Sequence, residues 1–411
     1  MSEKAALPAP RVFYGWFVVA AGFAVTFVNF GCAYSFSAFI APLQQEFGIS
    51  RGSVSLVFSL AGFLYFSVGM ISGPLADRWG SRQMAVIGMI LIGLGLAAAS
   101  AARSMAEVYA AYGLGVGLGV GCSYVPAMGA VQRWFLRRRG FASGLASAGI
   151  GVGTLAVPPF AAFLIEAVGW REAYLILGVL AAVAGVSSAL LIVNDPRERG
   201  LSPDGDAAPA HGQASPTRGA SMREAITSRR FIGLYAACLA CAFGVFVPFV
   251  HLAPYAVDHG AAPASGALLV GALGVGSAAG RFFLGGIADR IGRELSLVAT
   301  YLGMAAALVI WACSTTLRPL ASFGFLFGVF YGGWVALLPA VVMDYFGGRN
   351  VSGLIGILYT SAGFGTLIGP SAAGFAFDAT GSYLIPILAS IAANVIAASI
   401  TAATARQPAT A

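Results

Sequence analysis

Long apolar segments alternate with short polar breaks along the whole chain. Most segments hold about 20 residues or more, the length that a helix rising about 1.5 Å per residue needs to cross a bilayer. Unbroken apolar runs such as 85–102 argue against the short alternating strands of a membrane barrel. The pattern therefore predicts an all-α membrane protein with twelve transmembrane helices. The predicted segments are 14–40, 53–75, 84–102, 107–131, 141–166, 172–193, 231–257, 266–287, 295–315, 320–343, 351–376 and 382–403.

One long polar stretch, 194–230, interrupts this pattern. It holds eleven charged residues and four prolines among Gly, Ser and Ala, a composition that cannot bury a core of its own. We interpret it as a linker between two six-helix halves, so the predicted units are 1–193, 194–230 and 231–411. Within the linker, the short amphipathic piece from Met222 to Arg230 is predicted to lie on the membrane surface.

Two motifs recur at nearly the same spacing. The sequence from Gly73 to Gly80 follows the second segment and returns from Gly285 to Gly292 after the eighth, 212 residues later. The Ser-Ala-Gly-x-Gly sequence at 147–151 returns at 361–365, 214 residues later. These repeats indicate a tandem duplication of a six-helix unit. Parallel repeats of this kind are typical of transporters.

The composition and the placement of charge support a membrane protein and predict its orientation. Hydrophobic residues make up 58% of the chain and charged residues only 9%, against about 25% charged in soluble proteins. Twelve crossings place both termini on one side, whose loops and tails hold eighteen Lys and Arg residues against four on the other. This bias predicts cytoplasmic termini in a multi-pass protein of the cell inner membrane. Because the basic residues are scattered between apolar segments, the net charge of +7 does not indicate nucleic-acid binding.

Sites for metals, nucleotides or covalent catalysis are not expected. The five cysteines lie in apolar stretches without the spacing of zinc ligands, and we interpret them as packing residues. The alternating glycines of 113–121 lie within a membrane segment rather than after a strand, so they predict close helix packing. The sequence has neither a Walker lysine nor a plausible hydrolase triad. We therefore expect no cofactor and no enzymatic activity.

The residue types in the two copies of the first motif suit a tight turn between helices on the cytoplasmic side. Glycines permit a tight turn between helices, and the arginines follow the positive-inside bias. The motif residues are Gly73, Asp77, Arg78, Gly80 and Arg82 in the first copy and Gly285, Asp289, Arg290, Gly292 and Arg293 in the second. This pattern resembles the signature loop of the major facilitator superfamily. The resemblance covers the whole chain and implies that the motif braces a cytoplasmic gate between the two halves.

Four further sequences resemble the monocarboxylate transporter group of that superfamily and its bacterial relatives, including oxalate/formate-type carriers. They are 14–16, 138–144, 169–171 and 280–281. Animal members of the group carry a lysine in the first span, whereas the single lysine here is Lys4, outside the membrane. They also carry an aspartate one turn before the arginine of the eighth span, where this chain has Ser277. Oxalate carriers have a lysine in the eleventh span, but 351–376 contains no Lys or Arg.

Arg281 is the strongest candidate for a binding residue. Counting from Asp289 at about 1.5 Å per residue places it roughly 12 Å into the membrane. A charge at that depth costs about 2.5–3.5 kcal/mol on insertion scales, so it normally faces a cavity and has a role. Its counterpart at the repeat offset is Gly69, which argues against a scaffold charge shared by both halves. Because no Asp or Glu lies near the middle of any segment, the missing negative charge is expected to come from the substrate, whose carboxylate matches the planar guanidinium.

Polar side chains at a similar depth are candidates to share that carboxylate. Tyr124, Tyr331 and Tyr359 fall near the middle of their segments. Asn29 and Tyr34 in the first segment are weaker candidates, and Ser277 lies one helical turn before Arg281. Tyrosine is also common in the packing of membrane helices, so each residue has this alternative interpretation.

His251 is the candidate for proton coupling. It lies in the seventh segment between Pro248 and Pro254, and such breaks are tolerated where backbone lines a cavity. Histidine changes charge in the physiological pH range. The alternative is a histidine at the membrane interface without a role in coupling.

The sequence thus predicts a secondary carrier of a small monocarboxylate such as lactate or pyruvate. We expect alternating access driven by an ion gradient, with proton symport preferred, in a lipid-embedded monomer. An organic-anion exchanger for oxalate, formate or an aromatic carboxylate is the main alternative. A multidrug exporter would need a buried carboxylate, which the membrane segments lack, and a carboxylate sensor would need a signalling domain. Both are therefore disfavoured.

Overall fold

The computed structural model describes residues 13–135, 139–205, 220–346 and 351–405. Regular structure in these ranges is helical throughout. Twelve helices are long and apolar enough to cross a membrane, which confirms the predicted fold class. They are α1 (Gly15–Phe47), α2 (Arg51–Trp79), α3 (Ser81–Ser100), α4 (Met105–Trp134), α5 (Arg139–Val168), α6 (Trp170–Leu190), α7 (Arg229–Asp258), α8 (Pro263–Ile291), α9 (Arg293–Ala312), α10 (Leu317–Phe346), α11 (Val351–Thr380) and α12 (Leu384–Ala405).

Several helices extend beyond the apolar segments that predict them. The first segment ends at residue 40, but α1 continues to Phe47, and the N–H of Gly48 donates to the carbonyl of Gln44 at 2.9 Å. Similarly, α11 continues past residue 376 to Thr380. The hydrophobic pattern marks only the part of a helix that needs an apolar environment, whereas capping decides where the helix stops.

The structure divides the amphipathic piece predicted from Met222 to Arg230. A short helix covers Met222–Thr227 and begins at a capping box formed by Ser221 and Glu224. Ser228 is extended, and its hydroxyl caps the next helix, so Arg229 and Arg230 already belong to α7. The predicted piece is thus divided between a short helix and the start of α7, and its location on the membrane surface stays a prediction. The boundaries of the three units, 1–193, 194–230 and 231–411, stay a prediction.

The two halves repeat the same packing plan. In the N-terminal half α1 packs on α5, α2 on α4 and α3 on α6. In the C-terminal half the equivalent pairs, shifted by six helices, are α7 with α11, α8 with α10 and α9 with α12. The halves meet where α2 packs along α11 and α5 packs along α8. The predicted duplication is thus expressed as a pseudo-symmetric bundle.

A single glycine connects two helices at the same place in each half. Gly80 joins α2 to α3 with φ +103, and Gly292 joins α8 to α9 with φ +94. Each N–H closes the preceding helix, onto Ala76 at 2.8 Å and Ala288 at 3.0 Å. This backbone region is nearly restricted to glycine. The side of the bundle that carries these two turns is called the motif side below, and the other end is the opposite side.

The interface between the halves depends on small residues. A Cβ atom at Gly151 of α5 would lie 2.6 Å from the carbonyl oxygen of Gly274 in α8, which shows how closely the two backbones approach. Between α2 and α11, Ser371 donates a hydrogen bond to Ser59 at 2.8 Å. Such close contact of smooth helix faces is typical of membrane helices.

Replacing Gly292 by alanine is expected to lower the free energy of unfolding by about 1–3 kcal/mol, because a Cβ strains this backbone conformation. No atom lies within 4 Å of the added Cβ, so the cost comes from the backbone and not from a clash. The thermal unfolding midpoint of the detergent-solubilised protein measures the effect. Gly144→Ala is the control, since Gly144 is helical and its added Cβ would meet Phe282 at an ordinary 3.7 Å. Equal midpoints for the two variants would contradict the role of Gly292.

Candidate functional site

Arg281 is a buried cation on α8, with 8% of its surface exposed. Its Nη1 donates to the backbone carbonyl of Ser147 on α5, 2.8 Å away and in the other half of the molecule. Its Nε is buried and has no hydrogen-bond partner in the part of the chain that the structure describes. No carboxylate among those residues forms an ion pair with it. The guanidinium therefore has both unused charge and an unused donor.

Four predicted tyrosines, two from each half, lie within electrostatic range of Arg281. The guanidinium interacts electrostatically with the hydroxyl groups of Tyr34, Tyr124, Tyr331 and Tyr359. The hydroxyls of Tyr34 on α1 and Tyr331 on α10 lie 3.3 Å apart, so they join the two halves directly. These residues and Arg281 form what is called the central site below.

Asn29 and Ser277, the other predicted binding residues, are also buried polar side chains with unused atoms. Asn29 accepts a hydrogen bond from Ser123 at 2.9 Å, but its Nδ2 donor has no partner among the described residues. Ser277 precedes Arg281 by one turn of α8, and its hydroxyl is equally unpaired within the described chain. A buried polar group without a partner costs about 1–3 kcal/mol. Such groups are therefore candidates to pair with a bound molecule.

Aromatic rings surround the polar atoms of the central site. Phe249 of α7 stacks on Tyr34 with ring centroids 4.5 Å apart and meets Tyr331 edge-on at 5.0 Å. Phe30 of α1 contacts Tyr124 at 5.3 Å and Tyr65 at 5.8 Å. One permanent cation in an aromatic, water-poor surrounding is suited to a monoanion with an apolar body, because the low dielectric strengthens the charge pairing.

The sequence did not identify Phe30, Tyr65 or Phe249, and it did not indicate that Ser147 contacts Arg281. Phenylalanine occurs 29 times in the chain, and helical periodicity does not distinguish a ring facing the centre from one facing lipid. Ser147 contributes only its backbone carbonyl, which any residue could supply. The repeated motif at 147–151 is the one signal that marks its position.

His251 does not belong to the central site. It is fully buried in α7, close to the break at Phe246 that separates Arg229–Val245 from Val247–Asp258. Its Nδ1 lies 2.9 Å from the hydroxyl of Tyr383, and its Nε2 lies 2.8 Å from the carbonyl oxygen of Pro370 on α11. These partners place the imidazole near the opposite side of the bundle.

Tyr383 connects His251 to a group of charged residues that joins the halves at the opposite side. Arg51, the first residue of α2, forms a two-pronged ion pair with Asp258 at 2.6 and 3.1 Å and donates to the Tyr383 hydroxyl at 3.0 Å. Asp378 of α11 accepts hydrogen bonds from the backbone N–H groups of Arg51 and Gly52 at 3.0 and 2.8 Å. Arg51, Asp258, Asp378 and Tyr383 are called the latch below. Burial raises the pKa of the Tyr383 phenol above its usual range, and the positive charge of Arg51 opposes that shift.

The motif side carries a different set of contacts. Arg82 donates from Nε to the carbonyl of Ile192 at 2.7 Å, which fastens the start of α3 to the chain after α6. Arg293 forms an ion pair of 2.7 Å with Asp344 of α10. Arg78 and Arg290 are exposed. The Gly73 position faces Val125 of α4. The side chains at Asp77 and Asp289, and the Gly285 position, lie outside what the structure describes.

Comparison with known proteins identifies the type of molecule that has this arrangement. The family model described as Major Facilitator Superfamily matches residues 22–316 and 232–410. Monocarboxylate transporter 11 of Mus musculus is 31% identical over 393 residues, which cover 93% of this chain and 85% of that protein. Monocarboxylate transporter 2 of Homo sapiens is 27% identical over 415 residues, covering 96% and 85%. These matched proteins are transporters and not enzymes.

A solved structure supports the fold. The crystal structure of a bacterial homolog to the human lysosomal transporter Spinster, in an inward-facing and unoccupied conformation, superimposes with a TM-score of 0.72 at 16% identity. The alignment covers 98% of both chains. At this identity the likeness concerns the arrangement of the helices alone.

Proposed function

This chain belongs to the major facilitator superfamily and is a multi-pass membrane transporter homologous to monocarboxylate transporters, and from that premise we propose that it carries a small monocarboxylate by alternating access. Lactate-like and pyruvate-like acids are the proposed substrates. The proposed location is the cell inner membrane, with the motif side and both termini facing the cytoplasm, because that side carries most of the basic residues.

The observation that carries this proposal is the uncompensated charge of Arg281. In the part of the chain that the structure describes, its Nε donor has no hydrogen-bond partner and its positive charge has no counter-ion, and Asn29 and Ser277 add further unpaired groups to the interior. A carboxylate supplies the acceptors and the negative charge that these groups lack. Arg281 is proposed as the anchor, with hydroxyl groups of Tyr34, Tyr124, Tyr331 and Tyr359 sharing the carboxylate oxygens.

Contacts across the two halves support alternating access. Arg281 reaches Ser147 of the other half, and Tyr34 reaches Tyr331. A substrate bound to this cluster would contact both halves, so its binding is linked to their relative position. The ion pair between Arg51 and Asp258 holds the opposite side together, and we assign the structure to a state closed toward that side.

Proton symport is preferred as the energy source, with His251 as the candidate carrier. Exchange of organic anions is the second candidate for the energy source. The serine at position 277 favours exchange. The animal members of the group that this chain resembles carry a titratable aspartate at the position of Ser277. A serine hydroxyl does not gain or lose a proton in the physiological pH range. The aromatic rings around the central site extend the proposed substrates to aromatic carboxylates.

Uptake into proteoliposomes distinguishes these possibilities. We expect monocarboxylates to be taken up in preference to oxalate or succinate, because one buried cation balances one charge and a second carboxylate would be desolvated without a partner. The measurement is radiolabelled uptake of a panel of mono- and dicarboxylates, with and without an imposed pH gradient or internal counter-substrate. Stimulation by the pH gradient supports symport, whereas stimulation by counter-substrate alone supports exchange. Tighter binding of a dicarboxylate would reject the proposed substrate class.

Arg281→Gln is expected to abolish measurable uptake. Truncating one partner of a buried charge pair costs about 2–5 kcal/mol, which corresponds to a loss of affinity of roughly 30-fold to several thousand-fold. Arg281→Lys keeps the charge but loses the planar fork, so weaker binding with partial transport is expected. Titration of the purified protein with the best substrate of the panel measures the affinity.

Protein abundance is the control for both Arg281 variants. Removing a buried charge lowers the cost of insertion, so Arg281→Gln should reach the membrane in at least the parental amount. Parental affinity in a folded Arg281→Gln protein would refute the anchor.

The motif is proposed to brace the cytoplasmic gate, and Asp77→Asn and Asp289→Asn test this role. Both positions lie within four residues of the glycine turns Gly80 and Gly292, far along the helix from the central site. We expect each variant to lower the maximal transport rate while leaving substrate affinity nearly unchanged. Loss of substrate binding in a folded variant would contradict a gating role.

A further inference from the structure

The chain of hydrogen bonds between Arg51 and His251 has a defined direction. The carbonyl of Pro370 can only accept, so the His251 Nε2 that lies 2.8 Å from it carries a hydrogen. In a neutral imidazole the other nitrogen is then an acceptor, and the Tyr383 hydroxyl donates to Nδ1 over 2.9 Å. Arg51 donates to the same hydroxyl oxygen over 3.0 Å. With neutral His251, every group in the chain from Arg51 to Pro370 is satisfied.

Protonation of His251 is incompatible with this arrangement. A charged imidazole donates from both nitrogens. The Tyr383 hydroxyl would then have to accept from His251 and from Arg51 at once, and its own hydrogen would lose its present acceptor. Two cations would also share one buried phenol oxygen. The protonated histidine and the closed latch therefore destabilise each other.

The charged groups around His251 do not remove this conflict. Arg51 from α2 adds positive charge. Asp258 at the end of α7 is engaged with the guanidinium of Arg51, and Asp378 of α11 is engaged with the N–H groups at the start of α2. Tyr255, one turn after His251 on α7, is also titratable, and its hydroxyl donates to the carbonyl of Ser314 at 2.8 Å. Among the described residues, no carboxylate forms an ion pair with the imidazole.

We propose that His251 is the proton sensor of the latch: the neutral imidazole keeps Tyr383 against Arg51 and the opposite side closed, and protonation at Nδ1 displaces Tyr383 and opens that side. The inference rests on the proposed transport function, since it explains how a proton from outside would reset the carrier for loading. It differs from a proton carrier in the substrate site, because His251 acts on the gate and is separate from the central site.

The sign of the pH effect follows from this arrangement. An imidazole released into water takes up a proton near pH 6.5. Acid therefore stabilises the open latch, and neutral to alkaline conditions stabilise the closed one. The link to the N-terminal half is the Arg51 side chain, which also lies 4.4 Å above the ring of Phe377 and therefore stays near Tyr383 until the halves separate.

The distance between the halves at the opposite side tests the proposal without substrate. Nitroxide labels at Gln45→Cys on α1 and Ala264→Cys on α8 use two exposed positions outside the latch, in protein with Cys122→Ser and Cys313→Ser. Pulsed electron spin resonance in lipid nanodiscs gives the distance distribution. Between about pH 8 and about pH 5 we expect the ratio of long to short distances to rise by about tenfold, which corresponds to about 1.4 kcal/mol.

His251→Gln is the main variant, since glutamine offers one donor and one acceptor and stays neutral across this range. Its distance distribution is expected to keep the short distance at both pH values. His259→Gln is the matched control. This second histidine lies two turns further along the chain with its Nδ1 2.8 Å from the carbonyl of Tyr255, and its replacement should preserve the full acid response.

Tyr383→Phe is the second variant and leaves His251 in place. Loss of the hydroxyl breaks the link to Arg51, so the long distance should be populated at both pH values. A parental protein without an acid response, or an acid response that persists in folded His251→Gln, would overturn the proposal. If His251→Gln does not fold, an undiminished acid response in Tyr383→Phe would overturn it instead. Because no substrate is added, these outcomes are independent of the uptake panel.

Discussion

The arrangement of the central site depends on one buried, permanent positive charge between the two halves, for which the residues that the structure describes provide no counter-ion. Arg281 cannot neutralise itself as a lysine or histidine could. Within the described ranges its hydrogen-bond partner is a neutral carbonyl, that of Ser147, which comes from the other half. The bundle therefore brings hydroxyl groups of Tyr34, Tyr124, Tyr331 and Tyr359 near the guanidinium. Neutral dipoles reduce the cost of the charge without cancelling it, and this remaining charge is the basis for the proposed anion site.

Two interfaces with different chemistry hold the halves together. At the opposite side, charge and hydrogen bonds join Arg51 of one half to Asp258, Asp378 and Tyr383 of the other. Along α2 with α11 and α5 with α8, close packing of small residues provides the contact, as at Gly151 and Gly274. The polar groups of the latch can exchange their hydrogen-bond partners for water. Helix faces made of small residues can slide or separate at a low cost in free energy. The alternating access proposed for this chain would need both properties, because neither closed state can be too stable.

The sequence predicts the fold more completely than the central site. Apolar segments, the polar linker and the repeat at 212 residues indicate twelve helices in two related halves, since the bilayer imposes helix length and the duplication imposes symmetry. Counting residues along each helix also predicts a common depth for Arg281 and the tyrosines. Depth along a helix does not determine in which direction a side chain points around the helix axis. The sequence therefore did not identify Phe30 and Phe249 as residues around the central site. For His251 the partners lie more than 100 residues away, at Pro370 and Tyr383, and one sequence contains no signal for such a contact.

The hydrogen bonds of Asp378 to the start of α2 affect amide hydrogen exchange as well as the closure of the opposite side. Its carboxylate caps the first N–H groups of α2 from the other half, so a helix terminus is completed only while the halves are together. When the halves separate, these amides are exposed to water and their hydrogens exchange. When the halves come together again, the amides are protected from exchange. The exchange rate at Arg51 and Gly52, relative to that of an unprotected amide, therefore reports the fraction of time that the bundle is open at this end. Hydrogen exchange at these two amides would therefore follow the proposed opening of the bundle without a spin label or a ligand.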